Sequence, residues 1–163
     1  MIFQFATRLR TAVAAAFALL CACATGNSAP GPLASGGSTT VDGAALRSAD
    51  APANIGDWMS YSRTWDEQRY SPLDQIDADT VSRLGLAWYD DLDTMRGVQA
   101  SPLVVEGVLY NESIYNVVTA YDATDGRKLW SYDPQVGKEW ARLACCGPSS
   151  RGIAAWQGKL YIG

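Results

Sequence analysis

Short apolar runs separated by turn residues dominate the second half of the chain. They form three pairs, and each pair flanks a turn that contains glycine: 103–105 with 108–110, 117–121 with 128–132, and 154–156 with 160–162. Short apolar runs on both sides of such a turn are typical of β-hairpins. The pattern therefore predicts three consecutive hairpins and an all-β fold.

The hairpins also repeat along the chain. The segments 105–110 (VEGVLY) and 156–161 (WQGKLY) share one pattern, and their glycines are offset by 158 − 107 = 51 residues. A period of about fifty residues with four short strands per unit is typical of a β-propeller blade. Part of the 51-residue unit is a long loop, residues 134–150, rather than strand. Long loops between blade strands often carry ligand sites. We therefore expect a ligand site near this loop.

Shorter elements are predicted before the hairpins. They are a helix over 42–49 with Asp42 as its N-cap, a helical turn over 77–84 capped by Asp77, and a strand over 86–89. The chain ends inside its second repeat, whereas a propeller needs at least about four blades to close. We expect it to be the N-terminal part of a longer protein, so that the propeller is incomplete here.

The N-terminus has the pattern of an export signal. Arg8 and Arg10 precede an apolar run over 11–20, which predicts a signal peptide over 1–24. Two cleavage sites stay open: release of a soluble protein at Thr25, or a lipoprotein signal ending at Ala22 with lipidation of Cys23. Residues 25–41 are rich in Gly, Ser, Pro and Ala and predict a flexible linker. The globular region is then 42–163.

Composition excludes several kinds of site. The chain has no histidine, so it contains no Ser-His-Asp triad, Cys-His pair, HExxH zinc helix or CxxCH haem attachment. It has 13 basic and 17 acidic residues, a net charge of −4 and no basic run, which argues against nucleic acid as a partner.

Two adjacent cysteines, Cys145 and Cys146, are the only ones that follow the predicted signal. In an oxidising compartment they could bridge to each other, which strains the intervening peptide, or to other chains. Two reduced, buried thiols are the remaining alternative. Strain of this kind is usually retained at functional sites.

Several motifs resemble the N-terminal region of the pyrroloquinoline quinone (PQQ)-dependent alcohol dehydrogenases, which are quinoproteins and quinohaemoproteins. They are Trp58-x-x-Tyr61, 66–73 (DEQRYSPL), 84–88 (LGLAW), 132–135 (YDPQ), Cys145-Cys146 and Arg151-Gly152. Residues 120–130 resemble the tryptophan-docking motif of that family's eight-bladed propeller, with Asp125 where threonine is usual. There the residue at Trp130 packs between blades. The resemblance extends over 42–163.

The resemblance implies four cofactor-binding residues. Cys145 and Cys146 match a disulfide that lies against one face of PQQ, and Arg151 matches an arginine that contacts the cofactor's carboxylates. Gln99 stands where glutamate is usual near the cofactor, so a charge is replaced by a neutral amide. Ser62, where glycine is usual, is a milder departure.

The family resemblance also implies the reaction: oxidation of an alcohol by PQQ with transfer of electrons to a cytochrome, in the periplasm. A calcium or lanthanide ion assists, and haem c in a C-terminal domain is an option. The catalytic base and the metal ligands are expected outside this chain. We interpret the carboxylate pairs Asp66-Glu67 and Asp90-Asp91 as solvated loop charges. The alternative function is a non-catalytic propeller lipoprotein that binds partner proteins in the cell envelope.

Overall fold

The structure of the protein, a computed structural model, describes residues 41–143 and 145–163. The predicted signal peptide with Cys23, and residues 25–40 of the predicted linker, lie outside the described residues. Within the described residues, no helix has both the length and the apolar character needed to cross a membrane.

An antiparallel sheet with the strand order β1-β2-β3-β4 forms the centre of the fold, and a separate two-stranded sheet, β5-β6, follows it. The strands are β1 (Leu103–Val105), β2 (Val108–Glu112), β3 (Val118–Asp122), β4 (Lys128–Tyr132), β5 (Ala154–Trp156) and β6 (Lys159–Tyr161). A four-stranded antiparallel meander is the unit of a β-propeller. The three predicted hairpins are confirmed, with single-residue shifts at the starts of β3 and β6.

The first hairpin recurs in β5 and β6 with the same register. Leu103 pairs with Tyr110, and Ala154 pairs with Tyr161, again at an offset of 51 residues. Both turns have two residues in the left-handed region, with φ of 46° and 75° at 106–107 and 46° and 72° at 157–158. Such turns match the twist of the flanking strands. The repeat that the sequence predicts is therefore a structural repeat.

The helical elements are shorter than predicted. Helix α1 spans Gly43–Arg47, and the Asp42 carboxylate accepts hydrogen bonds from the N–H groups of Ala44 and Ala45, both at 2.8 Å, as an N-cap does. The helical turn predicted over 77–84 reduces to a 3-10 turn at Val81–Arg83. Further 3-10 turns span Ile114–Asn116 and Lys138–Arg142.

The prediction of a strand over 86–89 is wrong, because this segment pairs with no strand among the described residues. Its Trp88 instead covers the turn between β3 and β4, where the indole Nε1–H donates to the carbonyl of Ala123 at 3.1 Å. The indole also stacks on Tyr121, with ring centroids 5.8 Å apart. Side-chain packing therefore holds this segment where strand pairing was expected.

The core consists of two buried clusters, each of which includes a residue of β1. One buried cluster contains Val41, Ala49, Met59 and Val105, and the other contains Leu103, Val118 and Ile153. Val41, the last residue of the predicted linker, is thus packed rather than exposed. By contrast, every residue of β4 is exposed.

Gly126 is constrained twice. Its φ is +75°, and a Cβ atom there would lie 2.5 Å from the Trp88 ring. Gly107 has the same φ of +75° but has no atom within 4 Å of such a Cβ. The two glycines therefore share the same φ and differ in the packing around the position of a Cβ atom.

We predict that Gly126→Ala destabilises the protein more than Gly107→Ala. Both variants carry the cost of a left-handed alanine, about 1–2 kcal/mol, while only Gly126→Ala also displaces Trp88, which adds about 1–3 kcal/mol. Urea unfolding of the two variants in parallel measures the difference. Equal losses of stability would contradict the packing role of Trp88.

Candidate functional site

The segments that lead into β1 and β5 lie side by side. Ser101 and Gly152 form an isolated parallel bridge. Gly152 has φ of +141°, and a Cβ atom there would lie 3.7 Å from the backbone N and O of Ser101. That backbone conformation strongly favours glycine. The bridge brings together Gln99 and Arg151, which lie close to it in sequence.

Gln99 and Arg151 line one open concavity of about 650 Å³. Tyr61, Ile153 and Tyr161 also line it. The volume is within the range of about 300–1,000 Å³ that is usual for small-molecule sites. A guanidinium and an amide beside aromatic and aliphatic side chains suit a flat ligand that carries carboxylates.

Cys145 and Cys146 are exposed, with their Sγ atoms 2.9 Å apart as two thiols. The predicted disulfide is not formed in this structure and stays a prediction. The hydrogen bond with Cys146, and then the charge of that neighbour, raise the pKa of the Cys145 thiol, while the positive charge of Arg151 lowers it. Neither cysteine is among the described residues that line the concavity of Gln99 and Arg151, so the structure relates the pair to that concavity only through this charge effect.

Tyr61 is a lining residue that the sequence interpretation did not assign to the site. The guanidinium of Arg69 covers its ring, with Cζ 4.5 Å from the centroid. The Nε–H of Arg69 donates to the hydroxyl of Ser62 at 3.3 Å, so the serine found in place of the usual glycine supplies an acceptor here. The signal in the sequence was the Trp58-x-x-Tyr61 motif, whose Trp58 Nε1–H donates to the Tyr61 carbonyl at 3.4 Å.

The carboxylate pairs are engaged in local contacts. Asp90 accepts the Tyr121 hydroxyl at 2.7 Å and lies 3.2 Å from the ammonium of Lys128. The hydrogen bond from Tyr121 is the main cause that lowers the pKa of Asp90, so this carboxyl stays ionised. Asp66 accepts from the side chain of Gln68 at 3.0 Å. Among the described residues, no three acidic or cysteine side chains are grouped as metal ligands would be.

Burial and the hydrogen bond to Asp90 raise the pKa of Tyr121 from 10.0 to about 12. Because the folded state holds this proton more tightly than the unfolded state, the stabilisation is complete below pH 10 and is lost as the pH rises towards 12. We predict that the stability difference between the unmodified protein and Tyr121→Phe is constant up to about pH 10 and then shrinks. Urea unfolding at stepped alkaline pH, with phenolate absorbance, measures it. A difference that stays constant to pH 12 would contradict the raised pKa.

Comparison with known proteins identifies the family. Residues 58–161 match the family model described as PQQ: glucose/ethanol/alcohol dehydrogenase, beta-propeller domain. The chain is 52% identical over 123 residues to the quinohemoprotein alcohol dehydrogenase ADH-IIG of Pseudomonas putida, covering 76% of this chain and 17% of that protein. It is 48% identical over 145 residues to the dehydrogenase subunit of alcohol dehydrogenase (quinone) of Gluconobacter oxydans, covering 89% of this chain and 19% of that protein.

Solved structures agree with these matches. The quinohemoprotein alcohol dehydrogenase of Comamonas testosteroni aligns with a TM-score of 0.70 at 43% identity, over 76% of this chain and 18% of that one. A europium-containing methanol dehydrogenase aligns with a TM-score of 0.62 at 35% identity, over 66% of this chain and 19% of that one. The chain belongs to the PQQ-dependent dehydrogenase family and forms part of its β-propeller. It spans less than a fifth of the length of the curated relatives described above.

Proposed function

We propose that this chain contributes the first part of the cofactor site of a PQQ-dependent alcohol dehydrogenase. The observation that carries the proposal is the convergence of Gln99 and Arg151 on one concavity. Cys145 and Cys146 precede the arginine in the same loop, and its positive charge lowers the pKa of the Cys145 thiol. Relatives about 50% identical are named quinohemoprotein or quinone-linked alcohol dehydrogenases, which supports the same activity here.

The residues of the concavity fit PQQ. The cofactor is flat and carries three carboxylates, and within the described residues Arg151 forms no ion pair with a protein carboxylate. Its planar guanidinium is therefore available for bidentate binding of a carboxylate. Gln99 would donate or accept a hydrogen bond at the cofactor rim without adding negative charge. Tyr61 and Tyr161 would exclude water from its edges.

PQQ, when bound, supplies the electrophilic carbonyl that accepts a hydride equivalent from the alcohol. The residues of this chain would hold and orient the cofactor. A calcium or lanthanide ion, the general base, the cytochrome acceptor and any haem c are proposed to involve residues outside this chain. The europium in the related methanol dehydrogenase supports a metal ion in the complete site. Export to the periplasm, with either a free or a lipid-anchored N-terminus, completes the proposal.

The alternative of a non-catalytic propeller lipoprotein shares the repeated hairpins. It offers no reason for Gln99 and Arg151 to line one concavity, or for this arginine to form no ion pair within the described residues, whereas the dehydrogenase does.

We predict that the protein carrying the complete propeller binds PQQ in the presence of calcium, and that Arg151→Ala weakens this binding about ten- to a hundredfold. Arg151→Lys should have an intermediate effect, because lysine keeps the charge and loses the planar pair of donors. PQQ titration followed by quinone absorbance gives the affinities. Arg127→Ala is the matched control, since Arg127 pairs with Asp122 at the β3–β4 turn. The proposal fails if no PQQ binds, or if the two alanine variants bind PQQ equally well.

The cysteine pair allows a separate prediction. In the protein isolated from an oxidising compartment, Cys145 and Cys146 should resist alkylation until a reductant is added. Cys145→Ser should then lower the turnover of alcohol, because the bridge no longer forms a rigid surface beside the cofactor. Unchanged turnover in Cys145→Ser would argue against a role for the bridge.

A further inference from the structure

Glu112 is the last residue of β2, and it is buried, with 1% of its surface exposed. One carboxylate oxygen, Oε2, accepts a hydrogen bond from the hydroxyl of Ser150. The other, Oε1, has no partner among the described residues. Burial is the main cause that raises the pKa of Glu112. A buried carboxyl is costly unless it is hydrogen-bonded, and the bond from Ser150 is the one that Glu112 has within 41–143 and 145–163, so it constrains both residues strongly.

A second contact joins the same two regions. The backbone N–H of Tyr115, in the turn between β2 and β3, donates to the carbonyl of Pro148 at 3.0 Å. Tyr115 and Asn116 have φ of 57° and 59°, in the left-handed region that non-glycine residues rarely adopt. Residues persist in such conformations when surrounding contacts determine them. The end of β2 and the turn that follows it therefore contact the segment 147–150 at two residues, Ser150 and Pro148.

Ser150, which contacts Glu112, is adjacent in sequence to Arg151 of the proposed cofactor site. Ser150 precedes Arg151, and the N–H of Gly152 donates to the Ser150 hydroxyl oxygen at 3.4 Å. The hydroxyl thus donates to Glu112 on one side and accepts from Gly152 on the other. Gly152 in turn forms the bridge to Ser101. The backbone that carries Arg151 is therefore fixed from both sides, by the bridge and by the buried carboxyl.

We propose that Glu112 is a positioning residue, which acts through Ser150 to fix the segment 145–152 and so to orient Arg151 and the cysteine pair. The effect on PQQ rests on the proposed function, whereas the ordering of the segment does not. For this role Glu112 needs only a side-chain oxygen that accepts the hydrogen bond from Ser150. The isosteric amide should therefore replace the carboxylate.

The test compares Glu112→Ala and Glu112→Gln in the protein carrying the complete propeller. We expect Glu112→Ala to speed backbone hydrogen exchange in a peptide covering 145–152 by about tenfold, and to raise the dissociation constant of PQQ by a similar factor. Glu112→Gln, whose amide oxygen still accepts from Ser150, should stay within about threefold of the unmodified protein. Glu139→Ala is the matched control, because Glu139 is an exposed glutamate in the 3-10 turn of the same loop.

Ser150→Ala provides a second route if Glu112→Ala does not fold. It should reproduce the faster exchange and the weaker binding, and combining it with Glu112→Ala should add little, because both remove one hydrogen bond. The proposal is overturned if Ser150→Ala matches the unmodified protein, if Glu112→Gln is as damaging as Glu112→Ala, or if the two losses add. If the unmodified protein binds no PQQ, the proposed function fails, while the exchange rates still decide the role of Glu112.

Discussion

The candidate site depends on the close contact between Ser101 and Gly152. These residues are 152 − 101 = 51 residues apart, which is the offset of the repeated hairpins, so they are equivalent positions in successive repeats. Equivalent segments of neighbouring repeats run in the same direction, and the bridge between them is accordingly parallel. The φ of +141° at Gly152 strongly favours glycine, whereas a Cβ atom there would lie at an ordinary contact distance of 3.7 Å from the Ser101 backbone. Gln99 and Arg151 meet because the repeat itself places them at the same edge.

Two buried charged side chains hold the irregular segments around this contact. Arg63, 2% exposed, donates to the carboxylate of Asp50 at 2.7 Å and to the carbonyls of Ala49 and Tyr70, both at 3.1 Å. Glu112, 1% exposed, accepts a hydrogen bond from Ser150, which precedes Arg151. Backbone groups outside regular strands need other partners. Arg63 supplies such partners to the carbonyls of Ala49 and Tyr70, whereas Glu112 acts on the loop through the Ser150 side chain.

Much of the fold follows from local patterns in the sequence, whereas the site follows only in part. The hairpins are predicted because their turns require left-handed residues such as Gly107 and because apolar runs flank them. The strand expected over 86–89 is absent because a short apolar run does not specify a pairing partner, and Trp88 packs on Gly126 instead. The repeat spacing predicts a ligand site near the loop that carries the cysteines, whereas the role of Arg151 was predicted only from the family resemblance. Glu112 gave no signal, because a glutamate at the end of a strand is usually exposed.

Gln99 and Arg151 differ in how firmly the structure holds them and in the charge they offer a ligand. Gln99 is exposed, and its neighbour by two residues, Ser101, is fixed through backbone contacts that do not depend on the side chain at 99. A ligand with three carboxylates is repelled by a glutamate and not by a glutamine, while both residues offer an acceptor oxygen. Affinity for such a ligand would then rest mainly on Arg151, whose position is set by Gly152 and Ser150. The backbone that presents the arginine is therefore the constrained part of the site, and the rim at Gln99 is the part that can vary.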